Sequence, residues 1–207
     1  MKKFIQQILS LSPVAAIALA LVSCNTVAPK HQTSFTYDPT VAAIKNPSAL
    51  QIKISTSAQR LYLVEGNNVV LATPCTVGAP SSPTPKGNFT ILSKQEHRRR
   101  ATEPGAGYPM TYWMSFSGPA YGIHWGFVKP VPATHGCVRV PLKAVKKIFH
   151  LVKVGTPVQV ASSQPWDETI GKSLPVLNDG PLPNPPMSYL LSPQVFLDAK
   201  LGKHWNF

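Results

Sequence analysis

At 207 residues, the chain has room for one ordinary domain with flanking segments, since domains commonly run to roughly 100–200 residues. Apolar residues make up 43% of it, close to the globular average, which excludes wholesale disorder. The formal charge of +12 is diffuse, and its only tight run, Arg98-Arg99-Arg100, reads as a solvated loop.

The N-terminus carries Lys2 and Lys3 ahead of an apolar stretch over 8–22, interrupted by Ser10, Ser12 and Pro13. This is the pattern of an export signal, and it is marginal for a stable membrane span. The stretch ends in Leu21-Val22-Ser23-Cys24, which resembles the bacterial lipobox. That resemblance implies acylation of Cys24, removal of 1–23 and a periplasmic domain tethered by lipid to a membrane of the bacterial envelope; an uncleaved anchor is the alternative. Cleavage removes two lysines and leaves 18 basic against 8 acidic residues, a formal +10. Nucleic acid is excluded as a partner for an exported chain, so anionic envelope polymer or lipid is the expected counter-charge. Of the remaining cysteines, Cys75 lies in the apolar run 69–77 and reads as a buried small hydrophobe.

Residues 24–48 are polar, with prolines at 29, 39 and 47, and read as a linker. From Leu50 the pattern changes: Ile52 and Ile54 alternate with polar neighbours, and Leu61, Leu63 and 69–71 flank Gly66-Asn67-Asn68. Such alternation around a Gly-Asn turn predicts a hairpin. Further strands are expected at 87–93, 111–117, 121–125 and 156–161. Between the last two, Leu142, Val145, Ile148, Phe149 and Val152 recur at three- and four-residue spacings, predicting an amphipathic helix over about 141–152 with Pro141 in its first turn. The fold class is therefore mainly β, a sandwich or barrel-like domain over 49–161 with one packed helix. Residues 162–207 form a proline-rich extension, for which a course across the domain surface and a disordered tail are both open.

The chemistry concentrates in Tyr121-Gly-Ile-His-Trp-Gly-Phe-Val-Lys-Pro-Val-Pro-Ala-Thr-His-Gly-Cys-Val-Arg139. A cysteine is a strong nucleophile only as thiolate, so Cys137 needs a base or a positive field. His124 and His135 are the candidate bases, and Gly136 would let substrate approach a turn whose backbone N–H groups receive an oxyanion. Zinc is the chemical alternative, because His124, His135 and Cys137 would supply three ligands. No fourth cysteine or paired carboxylate suggests itself, and neither metal nor cofactor is expected. Tyr112, Trp113 and Met110 precede the histidine strand and are candidate walls of a substrate groove.

Ala133-Thr134-His135-Gly136-Cys137-Val138-Arg139, preceded by Ile123-His124, resembles the signature of the L,D-transpeptidases, the YkuD-type catalytic domain. Gln59-Arg60-Leu61-Tyr62-Leu63, Thr84-Pro85-Lys86-Gly87-Asn88-Phe89 and Val154-Gly155-Thr156-Pro157-Val158 resemble further family motifs in the right order. The resemblance implies that Cys137 attacks the carbonyl of residue three in a peptidoglycan stem tetrapeptide, releasing D-alanine and leaving a thioester for an amine acceptor. It implies that His124 moves the protons, oriented through a neighbouring backbone carbonyl. His135 and Gly136 would line the anion-stabilising turn, Thr134 would buttress it, and Arg139 would organise it or meet a substrate carboxylate. His124 and Cys137 are thirteen positions apart, a shorter loop than is usual in the family, which loops tolerate. The alternatives are an L,D-carboxypeptidase, with water as acceptor, and a lipoprotein that binds peptidoglycan without turnover.

Overall fold

The alternating stretch from Leu50 forms three antiparallel strands, β1 (Leu50–Ser55), β2 (Arg60–Glu65) and β3 (Asn68–Pro74). The structure, a computed structural model, describes residues 32–100, 109–181 and 185–203. The export signal, Cys24, His31 and the terminal aromatics Trp205 and Phe207 lie outside the described residues. The hairpin turn is tighter than expected: Glu65 pairs directly with Asn68, and Gly66 takes φ +60°, a left-handed conformation that costs glycine little.

The stretch 87–93, expected as one strand, is divided between two sheets. β4 (Gly87–Thr90) stays with the first sheet and β5 (Ser93–Gln95) enters a second. The corner lies at Ile91 and Leu92, whose N–H groups donate to Thr156 and Ser115, one in each direction. Ile91 is buried there, so its apolar side chain holds the corner in the core.

The second sheet continues with β6 (Trp113–Ser115), β7 (Gly122–Trp125) and β8 (Val138–Val140). β8 was not expected, because it is short and lies inside the cysteine motif. The chain then forms α1 (Leu142–Leu151), with Pro141 at its N-cap, and β9 (Pro157–Ala161). The strand orders are β3-β2-β1-β9-β4 and β5-β6-β7-β8. Two pairs are parallel, β1 with β9 and β7 with β8; the others are antiparallel. Ile52, Ile54, Leu61, Leu63, Ile123, Val138, Val140 and the α1 residues Leu142, Val145 and Ile148 share one buried cluster. Burying each such side chain stabilises the fold by roughly 1.5–3 kcal/mol.

Beyond β3 the chain runs along β8. Thr76 and Arg139 exchange two backbone hydrogen bonds of 2.9 Å, and Ala79 N–H donates to the Thr134 carbonyl at 2.8 Å. This covers the edge that β8 would otherwise present, an edge that proteins commonly shield.

The segments on either side of the strands are also laid onto the domain. In 32–48, read as a linker, the Tyr37 hydroxyl donates to Ala72 O and Ala42 N–H to Val70 O. In the C-terminal extension, Asp179 is buried and accepts from Ser34 N–H, Ser34 Oγ–H and Val128 N–H at 2.6–2.7 Å. That one carboxylate joins the N-terminal segment, the extension and the loop after β7. The described part of the extension adds a π-helical turn (Asp167–Gly171) and two short α-helices, α2 (Met187–Leu191) and α3 (Gln194–Lys200). Among the described residues, no helix is long and apolar enough to cross a membrane.

Candidate active site

Side chains alternate between the faces of a strand, and in the second sheet that alternation separates core from chemistry. Met114, Ile123, Val138 and Val140 point into the core. Trp113, Gly122, His124 and Arg139 occupy the opposite positions. His124 is paired with Arg139 in the β7–β8 register, so Cys137, two residues earlier, falls level with Gly122 on the face that carries His124.

His124 is buried, and its Nδ1 contacts the Trp125 carbonyl at 2.5 Å. A carbonyl can only accept, so Nδ1 carries the proton and Nε2 is left as a free acceptor; the tautomer is assigned from this bond. Burial pushes the imidazole down to about 4, the Trp125 bond pulls it up, and the Arg139 and Arg98 guanidiniums push it down again. It is therefore neutral at neutral pH. The indole of Trp113 stacks on it, with ring centroids 5.7 Å apart and planes 28° from parallel. Gly122 makes this possible, because a Cβ there would lie 2.6 Å from the Trp113 ring.

Cys137 is half-buried and free, and its thiol donates to Ala120 O at 3.6 Å. Burial pushes the thiol up, opposed by the Gly122 backbone and by Arg139 and Arg98. The turn before it is held by Thr134, a buried residue whose Oγ1 donates to Cys137 O at 2.6 Å and accepts from Gly136 N–H at 3.1 Å. Gly136 has φ +104°, and a Cβ there would meet the Tyr121 ring at 2.6 Å; both conditions demand glycine.

The remaining sequence candidates fall elsewhere. The His135 ring is exposed and makes no hydrogen bond, ion pair or ring contact with other described residues. Tyr112 is a correction: as a groove wall it needs an open face, but it is fully buried, with its ring against Phe149 and His150. Burial pushes its phenol up to about 12. Trp113 is also buried and meets His124 rather than solvent. Met110 is half-buried, its N–H donating to Arg98 O. Cys75 is 1% exposed, and burial pushes its thiol up to about 12. Among the described residues, no group of three or more His, Cys, Asp or Glu side chains is placed to hold a metal ion.

The arginine run is not a solvated loop throughout. The Arg98 guanidinium lies 4.1 Å over the Trp113 ring and donates to Pro119 O at 2.9 Å. Arg99 donates to the Leu190 and Ser192 carbonyls and covers the Phe196 ring of α3. No local pattern in the sequence signals either contact; both depend on a neighbouring strand and a distant helix.

A mainly β, two-sheet fold that sets a cysteine at the entry to one strand and an oriented histidine on the neighbouring strand defines a candidate thiol acyl-transfer centre. Residues 50–160 match the family model of the L,D-transpeptidase catalytic domain, YkuD, and the chain belongs to that family. It is 30% identical over 148 residues to the L,D-transpeptidase YkuD of Bacillus licheniformis, covering 68% of this chain and 84% of that protein. The Bacillus subtilis counterpart is 33% identical over 113 residues, 53% of this chain and 64% of its own. Among solved structures, an L,D-transpeptidase from Stackebrandtia nassauensis superposes with a TM-score of 0.51 at 22% identity, a likeness of fold. The match covers 60% of each chain, so this chain spans less than two thirds of that structure's length.

Proposed function

We propose that this chain is a peptidoglycan L,D-transpeptidase of the bacterial envelope, with Cys137 as nucleophile and His124 as proton carrier. The observation that carries the reading is the His124 Nδ1–H bond to the Trp125 carbonyl. It leaves Nε2 unprotonated on the sheet face that also carries Cys137, and it gives the imidazole an orienting partner without a third carboxylate.

In the proposed reaction, the Cys137 thiol turns from Ala120 O and yields its proton to His124 Nε2. Sulfur bonds to the carbonyl carbon of residue three of a stem tetrapeptide. The C–N bond to the terminal D-alanine breaks, and the imidazolium protonates the departing amine. An acceptor amine then attacks the thioester, its proton passes to His124, and the C–S bond breaks as the imidazolium returns that proton to sulfur and regenerates the thiol. Gly136 N–H is committed to Thr134 Oγ1, so the Cys137 N–H is the turn donor assigned to the oxyanion. Gly136 acts through its conformation, and Thr134 holds the turn. Because His124 is buried and oriented whereas His135 is exposed, the proton carrier is assigned to His124 and His135 is kept at the rim of the turn.

The export signal and Cys24 support a lipid-tethered location in the envelope; intact-mass analysis of the membrane-extracted chain for an acylated Cys24 N-terminus tests that part. The catalytic reading is tested by incubating the whole chain with muropeptide tetrapeptides and identifying products by mass. Cross-linked dimers with loss of D-alanine are the expected result. Tripeptide alone would move the assignment to an L,D-carboxypeptidase, and unchanged tetrapeptide to a binding protein.

A further inference from the structure

The segment after β5 joins the C-terminal extension to the candidate site. Its backbone stays extended beside the approach to β6: Glu96 O accepts from Tyr112 N–H at 2.9 Å, and Arg98 O from Met110 N–H at 2.7 Å. Successive side chains of an extended chain point to opposite sides, and here the two sides have different partners. His97 and Arg99 share Phe196 of α3, the imidazole with ring centroids 4.9 Å apart and the guanidinium 4.8 Å from the ring centre. Arg99 also donates to Leu190 O and to Ser192 O, the latter at 3.1 Å. Arg98, between them, goes the other way and lies over Trp113.

Each contact fixes the next. Two side chains of one short segment close on Phe196, and Lys200, in the last turn of α3, meets the Glu96 carboxylate at 3.5 Å, so α3 sets where residues 96–99 lie. Arg98, tied also to Pro119 O, covers the indole that stacks on His124. The His124 ring is otherwise held at one edge, by its Nδ1 bond to the Trp125 carbonyl. One bond at an edge lets a ring swing about it, and a stacked neighbour removes that freedom. The indole N–H makes no hydrogen bond with other described residues, so packing and the guanidinium above it are what keep Trp113 in place. A reacting group is only as well placed as the contacts that support it.

We propose that Phe196 is a positioning residue for His124: gripped by His97 and Arg99, it holds Arg98 on Trp113 and thereby Trp113 on the imidazole. Phe196 lies outside the residues 50–160 that match the family model, so the support reaches the site from beyond the matched domain. That His124 carries protons rests on the transpeptidase reading, whereas the coupling of its ring to α3 does not. The arginine run thus joins two parts of the molecule, with one guanidinium on the extension and the next on the indole beside the candidate proton carrier.

The test compares Phe196→Ala with Trp166→Ala in the whole chain. Trp166 also lies in the extension but packs on Tyr62 of the first sheet, so it reports general loosening. The direct readout is the proton NMR resonance of His124 Nδ1–H, assigned by its loss in His124→Gln. In Phe196→Ala this proton is expected to exchange with solvent about tenfold faster or more, as local opening becomes easier. Turnover of a tetrapeptide donor is expected to fall about tenfold in kcat with KM within about threefold, the pattern of a displaced reacting group rather than of lost binding. Phe196→Tyr, which keeps a ring between His97 and Arg99, is expected to restore both, and Trp166→Ala to leave both near parental values. Phe196→Leu keeps apolar bulk without the ring and is expected to shift both in the same direction, so the test stands if the alanine variant fails to fold. Parental exchange in Phe196→Ala and Phe196→Leu overturns the proposal whatever the turnover, as does an equal response in Trp166→Ala. Faster exchange with unchanged kcat keeps the coupling and removes His124 as proton carrier. A parent without turnover removes the transpeptidase reading, and the resonance alone then decides the coupling.

Discussion

The two sheets bury their outer faces differently, and the difference separates structure from chemistry. In the first, β1, β2 and β3 are six or seven residues long and covered on both faces. Tyr62, on the side away from the core, hydrogen-bonds Asp167 at 2.8 Å and meets the Trp166 ring from the C-terminal extension. In the second, the strands are three or four residues long. Their outer positions hold Trp113, His124 and Arg139, with Cys137 at the entry to β8. The two described cysteines mark the contrast. Cys75 follows β3, sealed and pushed up to about 12 by burial; Cys137 precedes β8, half-buried and beside a neutral imidazole. One residue type is packing in one sheet and a candidate nucleophile in the other.

Exchanging the two cysteines in turn should break this contrast most clearly. Cys137→Ala is expected to lower turnover of a tetrapeptide donor by roughly 10⁴-fold or more, since removal of a nucleophile leaves only binding and oxyanion stabilisation. Cys75→Ala is expected to leave the rate within a factor of about three while costing about 1 kcal/mol of stability, measured by urea unfolding. If Cys75→Ala stopped turnover, the division between the sheets would fail. The histidines give the next largest effect: His124→Gln is expected to lose about 10²–10⁴-fold, the usual contribution of a positioned proton carrier. His135→Gln should change the rate by about threefold or less by the same measure. Near-normal acylation in His124→Gln, read by intact mass, would transfer the role to His135.

A third variant tests whether the covering segments belong to the fold. Asp179→Ala strands two buried N–H donors, at Ser34 and Val128, and is expected to cost about 3 kcal/mol in urea unfolding. It should also loosen the loop that follows β7, because Val128 is one of the partners. Stability within about 0.5 kcal/mol of the parent, the range of ordinary surface changes, would show that the segments merely lie alongside.

What was legible in the sequence follows the same division. β1 to β3 and α1 announce themselves because each buries an apolar stripe with its own period, and the Thr-His-Gly-Cys-x-Arg motif names the candidate thiol. β8 escaped because its three residues lie within that motif, where Val138 and Val140 flank Arg139 without enough length to show alternation. The division of 87–93 escaped because a chain that turns from one apolar sheet to another stays apolar across Ile91-Leu92. Tyr112 and Trp113 look like groove aromatics beside a histidine strand, yet burial against α1 and stacking on His124 are tertiary facts. Arg98 and Arg99 carry no signal of their own beyond charge; one lies over an indole and the other under a helix nearly a hundred residues away.

The pH dependence of stability carries a contribution from His124 that can be read separately. Its folded value, about 4, lies below its ordinary 6.5. Between these values, the unfolded chain binds a proton at His124 that the folded chain does not. Stability therefore rises with pH across this window: the contribution is complete above about 6.5 and is lost as pH falls toward 4, with a slope of at most about 1.4 kcal/mol per pH unit. Other groups add their own dependence, so the measurement is the difference between the parent and His124→Gln in urea unfolding at several pH values. The parent is expected to lose stability relative to the variant as pH falls through 6.5 to 4. The same neutral imidazole implies that alkylation of Cys137 by iodoacetamide climbs through neutral pH without a plateau between about 5 and 7, because no imidazolium holds a thiolate there. A plateau together with a flat stability difference would mean that His124 is charged at rest, and the neutral thiol–imidazole pair would give way to an ion pair.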